Sequence, residues 1–540
     1  MGHLGGRRHE GVKGFALTGR WEGMTSPTRR DLFRAAGTLG VAGTLGALGT
    51  AIDPVPAMAA ASPKPGSAFV PADLSLHLLR RATYGPTPAS HDLVRRKGRA
   101  AWLDDQLQPS RIDDSSCQHL IANRFPELSW SISEAWRKVP DSEHWSFMVS
   151  IATATIARAV WSKRQLFEVM CDFWSNHLNV TAPTDSVWFA RHDYDRRVIR
   201  GHALGRFEDM LVASAKHPAM LNYLNNAEST KVEPNENYGR ELLELHTLGV
   251  DAGYTEADMF QSTLIMTGFT VDVSTGLFKY DNYIHYTGPV KMMGFEDPNA
   301  TGAGGQDVGV RYLKYLANHP ATARHIASKL CVRFVSDDPD PTFVDALAQT
   351  YLDHGTAIAP VLRQLFLSQT FADSIGDKMR RPLEDIVATL RILDYGPETS
   401  GVTGLRSLYF VCNEVGHAPL AWALPDGYPD DTASWLSAGT TVNRWNRHLS
   451  LAAHWYPQEL RQPDLRTLLP KNLPRTYGGM VDALAKRLVF RTLSNEHKQV
   501  VLALLERQSS DRFTAQDARE TYRIAPAVAI ILDSPYHGVR

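Results

Sequence analysis

The feature that most constrains this chain is the apolar run "FMVSIATATIARAVWSKRQLFEVMCDFWSNHL", Phe147 to Leu178, whose hydrophobic side chains recur at helical spacing. Read alone, it predicts one long helix from about His144 to Leu178, apolar over so much of its surface that other helices must surround it. Companion segments repeat the pattern. "LSLHLLRRATYG" starts behind the cap residue Asp73 and "EADMFQSTLIMTG" behind Thr255, and "ATARHIASKLCVRFV" and "MRRPLEDIVATLRIL" follow downstream. One stretch breaks the period. "FTVDVSTGLFKYDNYIHY" alternates at Phe269, Val271 and Val273, turns at Ser-Thr-Gly and resumes at Leu277, which predicts a β-hairpin near 269–288. The expected fold is mainly α: a large multi-helix, bundle-like domain over 73–540 with a small β-hairpin insert.

At 540 residues and 43% hydrophobic content the chain can bury a sizeable core. Its 57 basic and 58 acidic side chains leave no basic surplus, so a nucleic-acid partner is set aside. Cys117, Cys171, Cys331 and Cys412 are far apart, which rules out a compact zinc-thiolate motif. Cys171 reads as a buried thiol, and a disulfide among the other three is open in an oxidising compartment.

The N-terminus carries Arg29 and Arg30, then the Gly-rich run Ala35 to Ile52, then the small-residue stretch "VPAMAAASP". This order is similar to a twin-arginine export signal. With five glycines and three threonines the run is a poor membrane span. The expectation is a signal at 1–61, a linker at 62–72, the twin-arginine machinery as a partner, and no stable membrane span after cleavage. The first 61 residues hold 7 basic and 4 acidic side chains, so the remainder carries 50 against 54, a net of −4. Such a route takes folded proteins, often with a cofactor loaded, which raises the expectation of one divalent or transition metal.

The densest charged segment is "NENYGRELLELHTLG", Asn235 to Gly249. On a regular helix Tyr238, Leu242, Leu245 and His246 share the buried face, while Glu236, Arg240 and Glu244 make an alternating-sign ladder opposite. Glu241 falls between, close enough to Glu244 to share a cation, whereas His246 points about 160° from Glu244. A metal or acid/base site therefore needs a second helix. The best candidate is "RQLFEVMCDFWSNHL", with Arg164, Glu168, Asp172 and Asn176 on one stripe and His177 on the apolar side. His177 reads equally as a core histidine bonded to a carbonyl. Facing carboxylates with histidines suit Fe, Mn or Zn, and also suit glycoside hydrolysis. Trp422, Tyr428 and Trp435 in an aromatic loop offer stacking surfaces for sugar rings, with Asp426, Asp430 and Asp431 as hydroxyl acceptors. Lys329 and Arg333, spaced i to i+4, read as a solvated face or an anion contact.

Several blocks in order, "LHLLRRATYGPTP", "AWLDDQL", "FWSNHL", "HPAMLNYLNN", "NENYGRELLELHTLGVDAGYT", "HPATARHIASKLCVRFVSDDP" and "PDGYPDDTASWLSAGTTVNRWN", resemble the bacterial domain-of-unknown-function family numbered 1800. The resemblance runs from about Leu74 to Pro535. It implies one fold unit and export, and no particular activity. The chain departs from the family's usual pattern at Ser175, where a second histidine is usual, and at His285-Tyr286, where His-Asp is usual.

The function expected is an extracytoplasmic hydrolase of a cell-envelope or environmental polymer, carbohydrate first. Glu241, Glu244, Glu168 and Asp172 are its acid/base candidates. Arg240, Trp422, Tyr428 and Trp435 are candidates for substrate contact, and His177 and His246 for a metal. The alternatives are a metal-dependent oxidoreductase loaded before export and a non-catalytic scaffold or polymer-binding protein.

Overall fold

The computed structural model describes residues 65–540, so the expected signal at 1–61 lies outside the described residues. The helices that position the site are α1 (Leu74–Ala82), α2 (His144–Trp161), α3 (Gln165–His177), α4 (Glu236–Glu241), α5 (Glu256–Met266), α6 (Pro320–Phe334), α7 (Pro382–Leu393), α8 (Thr403–Glu414), α9 (Ala438–Ala452), α10 (Tyr477–Val489) and α11 (Thr521–Leu532). Helix α7 packs against both α2 and α9, α8 lies on α2, and α11 on α9 and α10. Its residues are buried along almost its whole length, so α7 forms the axis of this half of the domain. The chain is mainly α, as its periodicity predicts.

The caps follow the sequence. Asp73 accepts from the amides of Ser75 and Leu76 to start α1, and Thr255 and Asp258 close a capping box at α5.

The long helix expected over 144–178 is two helices. Asp114 accepts from the Ser162 hydroxyl at 2.9 Å and from the Lys163 amide at 2.7 Å, while Gln165 donates to the Ala159 and Ser162 carbonyls. These side chains take the groups that a continuous helix would use, and the chain turns. The periodicity survives the break because both halves face the same core.

A second departure lies after α4, where Leu242–His246 form a π-turn rather than more α-helix. The Thr247 hydroxyl donates to the Leu242 carbonyl five residues back, at 2.5 Å. Wider turns of this kind shift every later side chain off a 100° wheel.

The expected hairpin pairs β1 (Phe269–Val271) with β2 (Phe278–Tyr280), Phe269 opposite Tyr280. A second hairpin, β3 (Val290–Met292) with β4 (Phe295–Asp297), was not foreseen. Its two-residue turn, Met293-Gly294, has positive φ at both positions, 45° and 91°, the conformation that matches strand twist. Strands of three residues are too short to leave a readable alternation. All four cysteines are free and buried. No described helix is long and apolar enough to cross a membrane.

Candidate functional site

The carboxylates on α3 are spent on ion pairs. Both oxygens of Glu168 lie 2.8 Å from the two terminal nitrogens of Arg200, a fork-on-fork pair whose carboxylate is buried. Arg164, the expected partner on the same stripe, donates instead to the Ile112 carbonyl. Asp172 accepts from Arg381 and, at 3.4 Å, from Arg333. Both α3 carboxylates of the expected two-helix site are thus held by arginines.

Asp172 belongs instead to a buried ionic centre at the start of α7. Pro382 opens the helix, and the Glu384 carboxylate turns back to accept from the Arg381 amide at 3.1 Å. Arg333 Nη1 on α6 lies 2.6 Å from Glu384 Oε1 and 3.2 Å from Asp430 Oδ1. Arg540 Nη1 reaches Glu384 Oε1 at 3.0 Å, and Arg381 Nη1 reaches Asp430 at 3.1 Å. Burial alone would raise the Glu384 carboxyl. The guanidinium groups of Arg540, Arg333 and Arg381 outweigh it and hold the group well below the usual carboxylate range. Arg333 is 1% exposed, which rules out the solvated face read from its spacing with Lys329.

Consecutive helical side chains diverge by about 100°, so Asp385 points away from this centre. Its carboxylate is fully buried, with Oδ2 accepting from Arg444 Nε at 2.8 Å and lying 2.9 Å from His448 Nε2. Oδ1 lies 3.3 Å from His537 Nε2. On its far side His448 Nδ1 lies 2.8 Å from Asp533. Burial would lower the His448 ring, but Asp385 and Asp533 together raise it to about 9. Sequence reasoning missed Glu384 and Asp385 because acidic residues in a first turn read as complements to the helix dipole. The available signal was Arg444 and His448, spaced i to i+4 on α9.

The expected metal ligands His177 and His246 are both buried and join no group of three or more ligating side chains among the described residues. His177 Nε2 lies 3.1 Å from the His246 backbone carbonyl, and its ring sits among Phe173, Trp174 and Phe207. Both rings of His246 and His177 are buried, and burial draws them well down, His246 to about 3. Each reads as a neutral core imidazole. Among the described residues the group of ligating side chains that does converge is Asp385, His448 and His537.

Glu241 differs from all these acids. It is half-buried, and no hydrogen bond or ion pair holds it among the described residues. Burial, then the neighbouring Glu244, raises its pKa, with Asp426 adding to the rise and Arg240 opposing it. Glu244 is less free, because Arg240 lies 3.6 Å away and also reaches Glu236 and Glu256 at 3.5 and 3.0 Å. The ladder read from the sequence is present, extended by Glu256.

Asp426 stands on the aromatic loop, which is fastened to the end of α3 and the segment after it. Asn179 donates to the carbonyls of Trp422 and Leu424 at 3.1 and 2.6 Å, and the Tyr428 amide donates to Asn176 at 3.1 Å. Gly427, at φ +74°, lies so close to Asn176 that a Cβ would meet its carbonyl oxygen at 2.2 Å. The Trp422 indole donates to Asp426 Oδ1 at 2.7 Å. Tyr223 donates to Ala423 O at 3.0 Å and feels the charges of both Asp426 and Glu241. Half-buried Lys329 lies by Asp426 and Asp430, and burial draws its ammonium below the ordinary value against their pull. No hydrogen bond or ion pair holds it among the described residues. Of the three aromatic residues, Tyr428 is buried with its hydroxyl on Ala418 O at 2.9 Å, while Trp422 and Trp435 are half-buried. Trp435 stacks on His417 at 4.6 Å, so only part of its ring remains for a ligand.

The model of a protein family of unknown function, DUF1800, matches residues 77–538. The chain belongs to the DUF1800 family. No curated protein and no solved structure matches it. The family match runs from within α1 to Gly538, and so takes in Asp172, Arg333, Arg381, Glu384 and Asp430 of the ionic centre, but not Arg540, and the loop that carries Asp426.

Proposed function

We propose that this DUF1800 protein is a hydrolase of a glycan polymer, exported by the twin-arginine route, with Glu241 as general acid and Asp426 as the second carboxylate. The observation that carries the reading is the contrast in pairing: Glu241 is unpaired, half-buried and raised in pKa, beside a carboxylate of its own sign. An acid whose pKa is raised by burial, near a second carboxylate, is what glycosidic bond cleavage requires. Trp422 supplies an indole face beside Asp426, and Lys329 an unpaired ammonium for a sugar hydroxyl or carboxylate. Glu168 and Asp172 drop out of the chemistry because arginines occupy them.

The test is reducing-end release from a panel of envelope and plant polysaccharides by the purified chain. Glu241→Gln is expected to lower kcat about 10²- to 10⁴-fold while the fold persists. A general acid must be protonated, so kcat/KM should fall as pH rises through the raised pKa of Glu241. Cleavage that survives Glu241→Gln undiminished, or a panel with no cleavage, sinks the reading.

A further inference from the structure

The three ligand atoms at Asp385, His448 and His537 lie within 4.8 Å of one another, and none of the three residues is exposed. Helix α7 supplies the carboxylate, α9 the first imidazole, and the turn after α11 the second. Two observations make this more than a cluster of polar groups. Asp385 Oδ1 is buried and accepts no hydrogen bond, while His448 Nε2 meets the same carboxylate at Oδ2. Burying a carboxylate oxygen unpartnered is costly, and His537 Nε2 is the ligating atom beside it at 3.3 Å. The second observation is the outer support. Asp533 lies 2.8 Å from His448 Nδ1, and Arg380 donates to the His537 backbone carbonyl at 2.8 Å. A carboxylate on the far nitrogen fixes the tautomer of a ligating histidine and presents the lone pair of its other nitrogen.

We propose that Asp385 Oδ1, His448 Nε2 and His537 Nε2 bind one divalent transition-metal ion of the Zn, Co or Fe class. Two imidazoles and one carboxylate suit these ions rather than Mg or Ca, which favour oxygen. A tetrahedral ion with bonds of about 2.0–2.1 Å separates its ligand atoms by roughly 3.3 Å. Of these atoms, His537 Nε2 and Asp385 Oδ1 already stand 3.3 Å apart, whereas His448 Nε2 now lies 2.9 Å from Oδ2 and the Thr389 hydroxyl 3.3 Å from His537 Nε2, so binding requires the Asp385 carboxylate to rotate and His537 to release Thr389. The ion would replace the proton that His448 Nε2 now shares with Asp385. Arg444 stays on Oδ2 and offsets none of the Oδ1 lone pairs. His537 also borders a narrow crevice shared with Arg80, Arg380, Phe490 and Tyr536. This site shares no residue with the group around Glu241 and stands whether or not the glycan reading does.

The experiment uses the full chain without a histidine tag, stripped with chelator and titrated with Co²⁺. The expected result is one equivalent bound, with visible absorption bands of low-symmetry cobalt, bleached by Zn²⁺, and a higher thermal midpoint in metal. His537→Gln should abolish the bands, and Asp533→Asn should weaken binding about 10- to 100-fold. His177→Gln, in the other buried histidine pair, should leave them unchanged. Absence of a stoichiometric band and of any midpoint shift in the wild-type chain overturns the proposal, as do bands that persist in both His448→Gln and His537→Gln.

Discussion

The ionic centre around Glu384 and the group of side chains around Glu241 both combine acids with bases and put them to opposite use. In the first, Asp172, Arg333, Arg381, Glu384 and Arg540 are each buried and each held by an opposite charge within hydrogen-bond reach. In the second, Glu241 and Lys329 are half-buried and hold no partner among the described residues, although acids and a lysine lie close by. A charge taken fully out of water needs a partner, and once it has one it is fixed in protonation state and position. A charge left at the edge of water without a partner can exchange a proton or meet a ligand. Pairing, more than residue type, separates structure from chemistry in this molecule.

Breaking the first region should give the largest effect. Glu384→Ala strands Arg540 in the interior and leaves Arg333 to Asp172 and Asp430 alone, and loss of one member of a buried pair costs about 3–5 kcal/mol. A denaturation midpoint lowered accordingly is the expected outcome. A loss below about 1 kcal/mol would mean that water reaches this centre and that its charges are not committed as described.

Glu241→Gln sharpens the same comparison from the other side. Its stability should stay within about 0.5 kcal/mol of wild type, because no contact is lost. The sign depends on pH. The folded pKa of Glu241 is raised, so its contribution is fully present below the unfolded value and is lost as pH rises through the folded one. The glutamine variant should therefore match wild type in acid and become slightly the more stable at neutral pH. Urea midpoints at two pH values check this, and a variant destabilised at neutral pH would contradict it.

How much of this was legible in the sequence follows the same division. Helix existence, the caps at Asp73 and Thr255 and the first hairpin were readable, because they depend on neighbours within a few residues. The break at Ser162 was hidden because Asp114, about 50 positions away, causes it. The π-turn after Glu241 was hidden because a wheel of fixed pitch assumes it away. Glu241, Glu244 and the aromatic loop were named from residue type and pattern. Which acid was free could only be learned from the arginines that reach the others, and Arg200, Arg333, Arg381 and Arg540 arrive from four separate segments. The Asp385 cluster escaped for a similar reason: its two histidines lie 89 residues apart and neither sits in a metal-spacing motif.

The smallest effect joins the two properties in one residue. Arg240 is partly exposed and touches Glu236, Glu244 and Glu256, pairs worth about 0.2–0.5 kcal/mol each and weakened by salt. Arg240→Ala should thus barely move the denaturation midpoint. Its charge, however, draws the Glu241 pKa down, so its removal should raise that pKa further. If Glu241 is the general acid, the alkaline limb of kcat/KM must move to higher pH in Arg240→Ala, by more at low salt than at high. A limb that stays put or moves toward acid, with stability unchanged, would detach the limb from Glu241 and leave Arg240 as a surface ladder alone.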